Sequence, residues 1–220
     1  MSSAYFLTGT DTDIGKTFVA SALLYRAGNS GLRTAGLKPV AAGTRADGSN
    51  DDVESLKAAS TVRLPAEIIN PYCFAPAIAP HIAAAEAGVD INFARIAETV
   101  KRARQAADFV VVEGAGGFCV PFNVDHNGAD LAAQLGLPVI LVVGMRLGCL
   151  NHALLTAEAI AARGLLIAGW VANQIDPQMP RFAENLATLD QLLLAPRLGM
   201  VAYDPEGGPK AAASSLQLPE

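Results

Sequence analysis

Charge is scarce in this chain of 220 residues: Asp, Glu, Lys and Arg make up 17%, with a net charge of -5. No basic cluster stands out against that balance, so a nucleic-acid partner, which needs a positive face, is not expected. Long hydrophobic runs are missing too. The most apolar stretch, Leu137 to Leu150, is interrupted by Pro138, Gly144, Arg146 and Gly148. It falls short of the roughly 20 residues that a membrane-spanning helix needs. The first residues, Met1-Ser2-Ser3-Ala4-Tyr5-Phe6, lack both a basic segment and a long apolar one, so a cytoplasmic location is expected rather than export. The three cysteines, Cys73, Cys119 and Cys149, are odd in number, scattered and outside any CxxC. They read as reduced thiols that pack rather than ligate. His81, His126 and His152 have neither metal-ligand spacing nor a nucleophile beside them, and read as structural.

What is present is a hydrophobic content of 51% with 20 glycines, the profile of a core-forming α/β chain rather than of a disordered or fibrous one. The length fits one domain over residues 1–220. Apolar bursts of strand length alternate with amphipathic stretches of helix length. Strands are predicted at Ala4–Thr8, Thr34–Val40, Phe109–Glu113, Val139–Val143, Leu166–Ala172 and Leu198–Ala202. Helices are predicted at Lys16–Ala27, Asp51–Ser60, Phe93–Ala107, Ala153–Arg163 and Pro180–Leu194. Several of the strands show almost no polar alternation, as strands covered on both faces do, which points to a parallel sheet. The fold expected is a single doubly wound, mostly parallel α/β sheet of the P-loop NTPase type. The segment from Glu206 on, rich in Gly, Pro, Ala and Ser, reads as a frayed tail.

In such sheets ligands sit beyond the carboxyl ends of the strands, and four of those ends carry chemistry. The first is "GTDTDIGKT", residues 9–17, between a strand and a helix. A strand-to-helix loop turns backbone N–H groups toward an anion. Lys16 can reach terminal phosphates, and the Thr17 hydroxyl can ligate Mg²⁺. Five residues rather than four separate Gly9 from Gly15, so a glycine-containing turn with an incidental lysine is the competing reading. Lys38, before Pro39, offers a second ammonium for a transferring phosphoryl group or an anionic acceptor; alternatively it closes a strand at the surface. Glu113 ends the run Val110-Val111-Val112 and, with Asp52, is a candidate Mg²⁺ carboxylate. Asp51 and Asp52 could instead favour a helix N-terminus. Gly114, Gly116 and Gly117 allow close backbone approach. Asn173 offers a donor and an acceptor to a base edge, or opens an Asx turn.

Together with "AGLKPVAAG", "NPYCFAPAIAPHIAA", "VEGAGG", "LPVILVVGMRLGCLNHALLTAEAI" and "GWVAN", these motifs run in order over nearly the whole chain. The sequence resembles the dethiobiotin synthase family, whose own phosphate loop is the longer variant. The resemblance implies an ATP- and Mg²⁺-dependent reaction with 7,8-diaminononanoate and CO₂. One amine is carboxylated to a carbamate, which takes the γ-phosphoryl group, and the second amine then closes the ureido ring and releases phosphate. It implies that Asp13, Ile14, Gly15, Lys16, Thr17 and Phe18 cradle the phosphates, with Lys16 and Lys38 catalytic and Thr17, Asp52 and Glu113 holding Mg²⁺. Glu113, Gly114, Ala115 and Gly116 would line the nucleotide and substrate. Asn173 and Gln174 would meet the adenine. Thr12, Lys38 and Ala42 would contact the substrate, whose carboxylate would be held by Gly148, Cys149, Leu150 and Asn151 of a neighbouring subunit in a homodimer. The chain departs from the family pattern in three places. Ala42 stands where serine is usual, leaving Thr44 to replace its hydroxyl; Asn185 stands where tyrosine is frequent; and Ala202-Tyr203 stand where the family often has a proline. Two other readings share the fold. An amidase or synthetase of the cobyrinate type would need a further glutamine-handling domain, for which the chain has no room. A partition or division-site ATPase would place a lysine where Thr10-Asp11 stand.

Overall fold

Tyr5, Phe6 and Leu7 point alternately to opposite faces of one strand, and all three are buried. Alternate residues of a strand can share that fate only when helices cover both faces of the sheet. The computed structural model describes residues 2–220 and shows such an arrangement. In chain order the elements are β1 (Ser3–Gly9), α1 (Lys16–Asn29), β2 (Thr34–Leu37), β3 (Val40–Ala42), α2 (Asp51–Ala59), α3 (Ala66–Ile69), β4 (Tyr72–Phe74), α4 (Pro80–Glu86) and α5 (Phe93–Ala106). There follow β5 (Phe109–Glu113), α6 (Gly128–Leu135), β6 (Val139–Met145), α7 (Cys149–Ala162), β7 (Ile167–Gln174), α8 (Phe182–Leu192), β8 (Arg197–Val201) and α9 (Pro209–Ala212).

Six strands form one sheet in the order β2-β5-β1-β6-β7-β8, and every pairing in it is parallel. The strand β1 is central, with Leu7 opposite Glu113 of β5 and Gly9 opposite Val142 of β6. One face packs Tyr5, Leu7, Val111 and Val142 against Val19, Leu23 and Leu24 of α1. The other packs Phe6, Val112, Leu141 and Trp170 with Ile96 and Val100 of α5 and Ile160 of α7. Since all six strands run the same way, their carboxyl ends and the loops that follow gather on one side. Among the described residues no helix is long and apolar enough to cross a membrane.

Three expectations are corrected. The strand predicted over Thr34–Val40 breaks at Lys38-Pro39: β2 stays in the main sheet, while β3 pairs with β4 in a separate two-stranded sheet. Pro39 has no N–H for a sheet ladder, and the ladder ends there. The helix predicted from Ala153 begins at Cys149, because Gly148 (φ 96°) makes the turn that lets it start a full turn earlier. The tail does not fray. Leu216 and Ala213 are buried, Gln217 N–H donates to Leu198 O at 2.7 Å, and Arg26 Nε donates to Leu216 O at 3.1 Å. Ala213 and Leu216, with the partly buried Ala212 and Leu218, dock the segment against the core on the α1 side of the sheet.

Candidate active site

The loop after β1 carries two residues in the left-handed region, Asp13 (φ 55°) and Gly15 (φ 81°). Left-handed residues alternating with ordinary ones turn successive N–H groups toward one point, as an anion nest requires. Only glycine fits at the second position, since a Cβ on Gly15 would lie 2.3 Å from Asn173 Nδ2. Asn173 is there because its amide donates to Ile14 O at 2.7 Å, fastening the loop to the end of β7. The helix α1 then begins at Lys16 with no side-chain cap. Its first N–H groups remain for a ligand, in the field of the helix N-terminus.

Lys16, Thr17, Lys38, Asp52 and Glu113 meet in one cavity of about 360 Å³, also lined by Thr12, Asp13, Gly15 and Gly116. Glu113 is its anchor, with a side chain fully shielded from solvent. The Thr17 hydroxyl donates to Glu113 Oε1 at 2.7 Å. Lys38 Nζ lies 2.5 Å from the same oxygen and 2.8 Å from Asp52 Oδ2. Glu113 Oε2 is buried without a hydrogen-bond partner among the described residues. Burial opposes the charge on Lys38, but Glu113 and Asp52 outweigh it and hold its pKa above the ordinary lysine value. Burial also works against the Asp52 carboxylate, yet Lys38 outweighs it and its pKa falls. Lys16 goes the other way. Burial, with the Lys38 charge beside it, brings its pKa down from 10.5 to about 8. Its Nζ rests on the Asp11 carbonyl oxygen at 2.7 Å, and Asp11 in turn accepts a bond from Arg146 at 2.5 Å.

A second cleft, of about 530 Å³, opens from this cavity. Thr12, Asp13, Lys38, Asp52 and Gly116 belong to both. Beyond them the cleft is apolar, lined by Val40, Ala41, Ala42, Ala77, Ile78, Pro80, Ala115 and Val120. A polar end with two lysines therefore continues into an apolar slot. Thr44, the expected replacement for the hydroxyl missing at Ala42, does not line this cleft. The segment Ala77 to Pro80 went unassigned in the sequence, although it lies inside the quoted stretch "NPYCFAPAIAPHIAA"; a run of alanines and prolines carries no chemical signal of its own.

Other expected residues sit apart. Gly114 lies against the Phe6 ring, where a Cβ would come within 3.2 Å. Phe18 is partly buried in the first turn of α1. Gln174 Oε1 accepts from Tyr203 N at 3.3 Å, linking β7 to the segment after β8. Gly148, Cys149, Leu150 and Asn151 form the start of α7 and line neither the cavity nor the cleft. Cys149 is buried, whereas Cys73 and Cys119, read as packing residues, are exposed. Asn185 lines neither the cavity nor the cleft; its amide donates to Arg181 O at 2.8 Å.

Comparison with known proteins identifies the family. Residues 3–211 match a family described as an AAA domain. The ATP-dependent dethiobiotin synthetase BioD of Aromatoleum aromaticum is 54% identical over 219 residues, covering 98% of this chain and 97% of that protein. That of Pseudomonas aeruginosa is 52% identical, covering 98% and 96%. The chain belongs to the dethiobiotin synthetase family. Solved structures agree on the fold. The septum site-determining protein MinD of Pyrococcus horikoshii, complexed with Mg-ADP, superposes with a TM-score of 0.59 at 15% identity, over 97% of this chain and 86% of that one. The MinC:MinD complex of Aquifex aeolicus gives 0.58 at 12% identity, over 93% and 83%. Both support a P-loop NTPase fold for the family member described here.

Proposed function

We propose that the chain, as one domain over residues 1–220, carries out the ATP-dependent carboxylation and ring closure of 7,8-diaminononanoate with CO₂. The products are dethiobiotin, ADP and phosphate. The observation that carries this reading is the junction of the two cavities: Lys16 and Lys38 face the phosphate end, and the hydrocarbon slot leads away from them. An amine adds to CO₂ and loses a proton, giving a carbamate anion. Its oxygen must then approach the γ-phosphate, another anion, as ADP departs. Two ammonium groups set in advance at that meeting point offset the repulsion without reorganising. The second amine next attacks the carbonyl carbon of the mixed anhydride and gives up a proton as phosphate leaves, which closes the ureido ring. The protein forms no bond in this sequence; its residues align and neutralise.

Thr17, Asp52 and Glu113 fit Mg²⁺. Among the described residues no group of three or more His, Cys, Asp or Glu side chains could cage a metal. One hydroxyl and two carboxylates instead suit an ion that takes its other ligands from phosphates and water. The buried, unpartnered Glu113 Oε2 is the oxygen such an ion would satisfy. When bound, the ion would offset charge on the phosphates.

The substrate carboxylate, at the far end of the aliphatic chain, falls to the first turn of α7 from a second copy in a cytoplasmic homodimer. Two features support this. Gly148 to Asn151 do not line the cavity or the cleft of their own chain, and Leu147 and Leu155 around them are 88% and 56% exposed. Asn173 and Gln174 are assigned to the base edge.

The test is ADP release with and without diaminononanoate and bicarbonate. Release should require both compounds. An ATPase indifferent to them would replace the synthetase reading with a nucleotide switch.

A further inference from the structure

The stretch that begins at Asn70 lies outside the cavity, yet it fixes the backbone from which Lys38 projects. Lys38 and Pro39 belong to neither sheet, lying between the end of β2 and the start of β3. Their backbone groups therefore need partners outside a ladder. Lys38 N–H donates to Ile69 O at 2.9 Å, and Tyr72 N–H donates to Pro39 O at 3.1 Å. The Lys38 carbonyl accepts from Asn70 Nδ2 at 2.5 Å, and the same amide nitrogen donates to Tyr72 O at 3.0 Å. An amide NH₂ has two hydrogens, and both are used. Asn70 thus clamps the Lys38 peptide from one side. On the other, the lysine side chain runs through the interior to Glu113 and Asp52.

A lysine stem has a finite reach, and Lys38 is buried, so where its backbone is held limits how the ammonium can meet Glu113 and Asp52 together. We infer that Asn70 is a positioning residue for Lys38: its amide clamp on the Lys38 and Tyr72 carbonyls sets where the ammonium sits at the phosphate cavity. The inference rests on the reading that Lys38 stabilises charge in the reaction.

The test pairs Asn70→Ala with Asn70→Asp, which keeps the shape but removes both donors, in the unaltered chain and in a Lys38→Ala background. Turnover should fall on the order of 10- to 100-fold with Lys38 present, while calorimetric ATP affinity stays near that of the unaltered chain. With Lys38 replaced, neither change should cost anything further. A second loss of equal size in that background, or a loss of ATP affinity as large as the loss of turnover, would reduce Asn70 to a general structural residue. The crystal structure of Asn70→Asp supplies a readout independent of substrate: Lys38 Nζ should leave Glu113, and an unmoved ammonium overturns the inference. Should neither variant fold, the inference also fails, because the residue then serves the fold and not Lys38. Turnover by the unaltered chain that ignores diaminononanoate would sink the functional reading, and the lysine position in the crystal would still decide this one.

Discussion

Two strand-to-helix turns in this molecule use the same backbone device and meet different fates. After β1 the chain turns at Gly15 (φ 81°) into α1, and after the neighbouring β6 it turns at Gly148 (φ 96°) into α7. Neither glycine is supplemented by a side-chain cap bond. Both turns therefore present the bare N–H groups and positive end of a helix. Around Gly15 the neighbours are Lys16, Lys38, Asp52 and Glu113, which line one cavity, and an added Cβ would strike Asn173. Around Gly148 an added Cβ would meet nothing within 4 Å, and Leu147 beside it stands in solvent. The lesson is that a helix N-terminus becomes a site through what surrounds it. The first turn has its surroundings in the same chain; the second, in the reading proposed above, receives them from another copy.

The largest effect expected follows from stripping the first turn of its charge. Lys16→Ala and Lys38→Ala should each lower turnover on the order of 10²-fold or more, since each removes a preorganised charge from the transition state. Steady-state ADP release measures it. Near-normal kcat in Lys38→Ala would remove that residue from the catalytic set, leaving it as the counter-charge of Glu113.

The glycines themselves give the next contrast. Gly15→Ala combines a left-handed conformation with a Cβ directed at Asn173, so the loop must open and ATP affinity should fall at least about tenfold. Gly148→Ala carries the left-handed cost alone, about 1 to 2 kcal/mol. It should appear as a lower thermal midpoint with ATP affinity intact. Equal losses of ATP affinity in the two variants would contradict the difference in surroundings.

The parts of this contrast that were legible in the sequence are those with chemical side chains at strand ends. Lys16, Thr17, Glu113, Asp52 and Lys38 follow from motif and order, and the structure gathers all five in one cavity. The parallel sheet was legible because strands such as Val110-Val111-Val112 carry no polar alternation. What stayed hidden depends on backbone partners distant in sequence. The break at Pro39 needed β4 to pair with β3, a strand of three residues with no pattern of its own. The role of Gly148 stayed hidden because a glycine that turns the chain into a helix brings no side-chain cap to signal the start. The helix α6 also went unseen, although its capping box, Asn127 with Asp130, is a local signal. The docking of the tail rests on a few scattered apolar residues, Ala212, Ala213, Leu216 and Leu218, and on backbone hydrogen bonds to distant segments, none of which forms a periodic pattern.

pH sharpens the comparison through Lys16. In the free protein its pKa is lowered to about 8 by burial and by Lys38, while phosphates favour its charged form. ATP affinity should therefore be highest below pH 8 and decline above it by up to about tenfold per unit. For folding the sign is opposite. The charged form is disfavoured in the folded state, so the cost is fully present below about 8 and is relieved as pH rises toward 10.5. Titration calorimetry across this range should show ATP affinity falling and, in Lys16→Arg, a flatter profile. A decline of the same steepness in Lys16→Arg would assign the titration to another group.

The smallest effect is the one that decides whether the second turn works for its own chain or for a partner. Lys16→Ala disables the first turn. Gly148→Phe disables the second, since a large side chain at φ 96° disturbs the start of α7. Each variant alone should be inactive. Refolded together in equal amounts, two-fold dimers reassort at random, and half of them carry one copy of each. In such a hybrid one site combines both defects. The other combines the intact Lys16 of one chain with the intact Gly148 of the other. About a quarter of all sites should then recover, read as ADP release relative to the unaltered enzyme. The alternative is that Gly148 only starts a helix and the carboxylate is bound within one chain. In that case every site of the hybrid carries one defect or the other, and nothing recovers. Native mass spectrometry of the mixture fixes the hybrid fraction, so a failure to recover with hybrids present would place both halves of the site on a single chain.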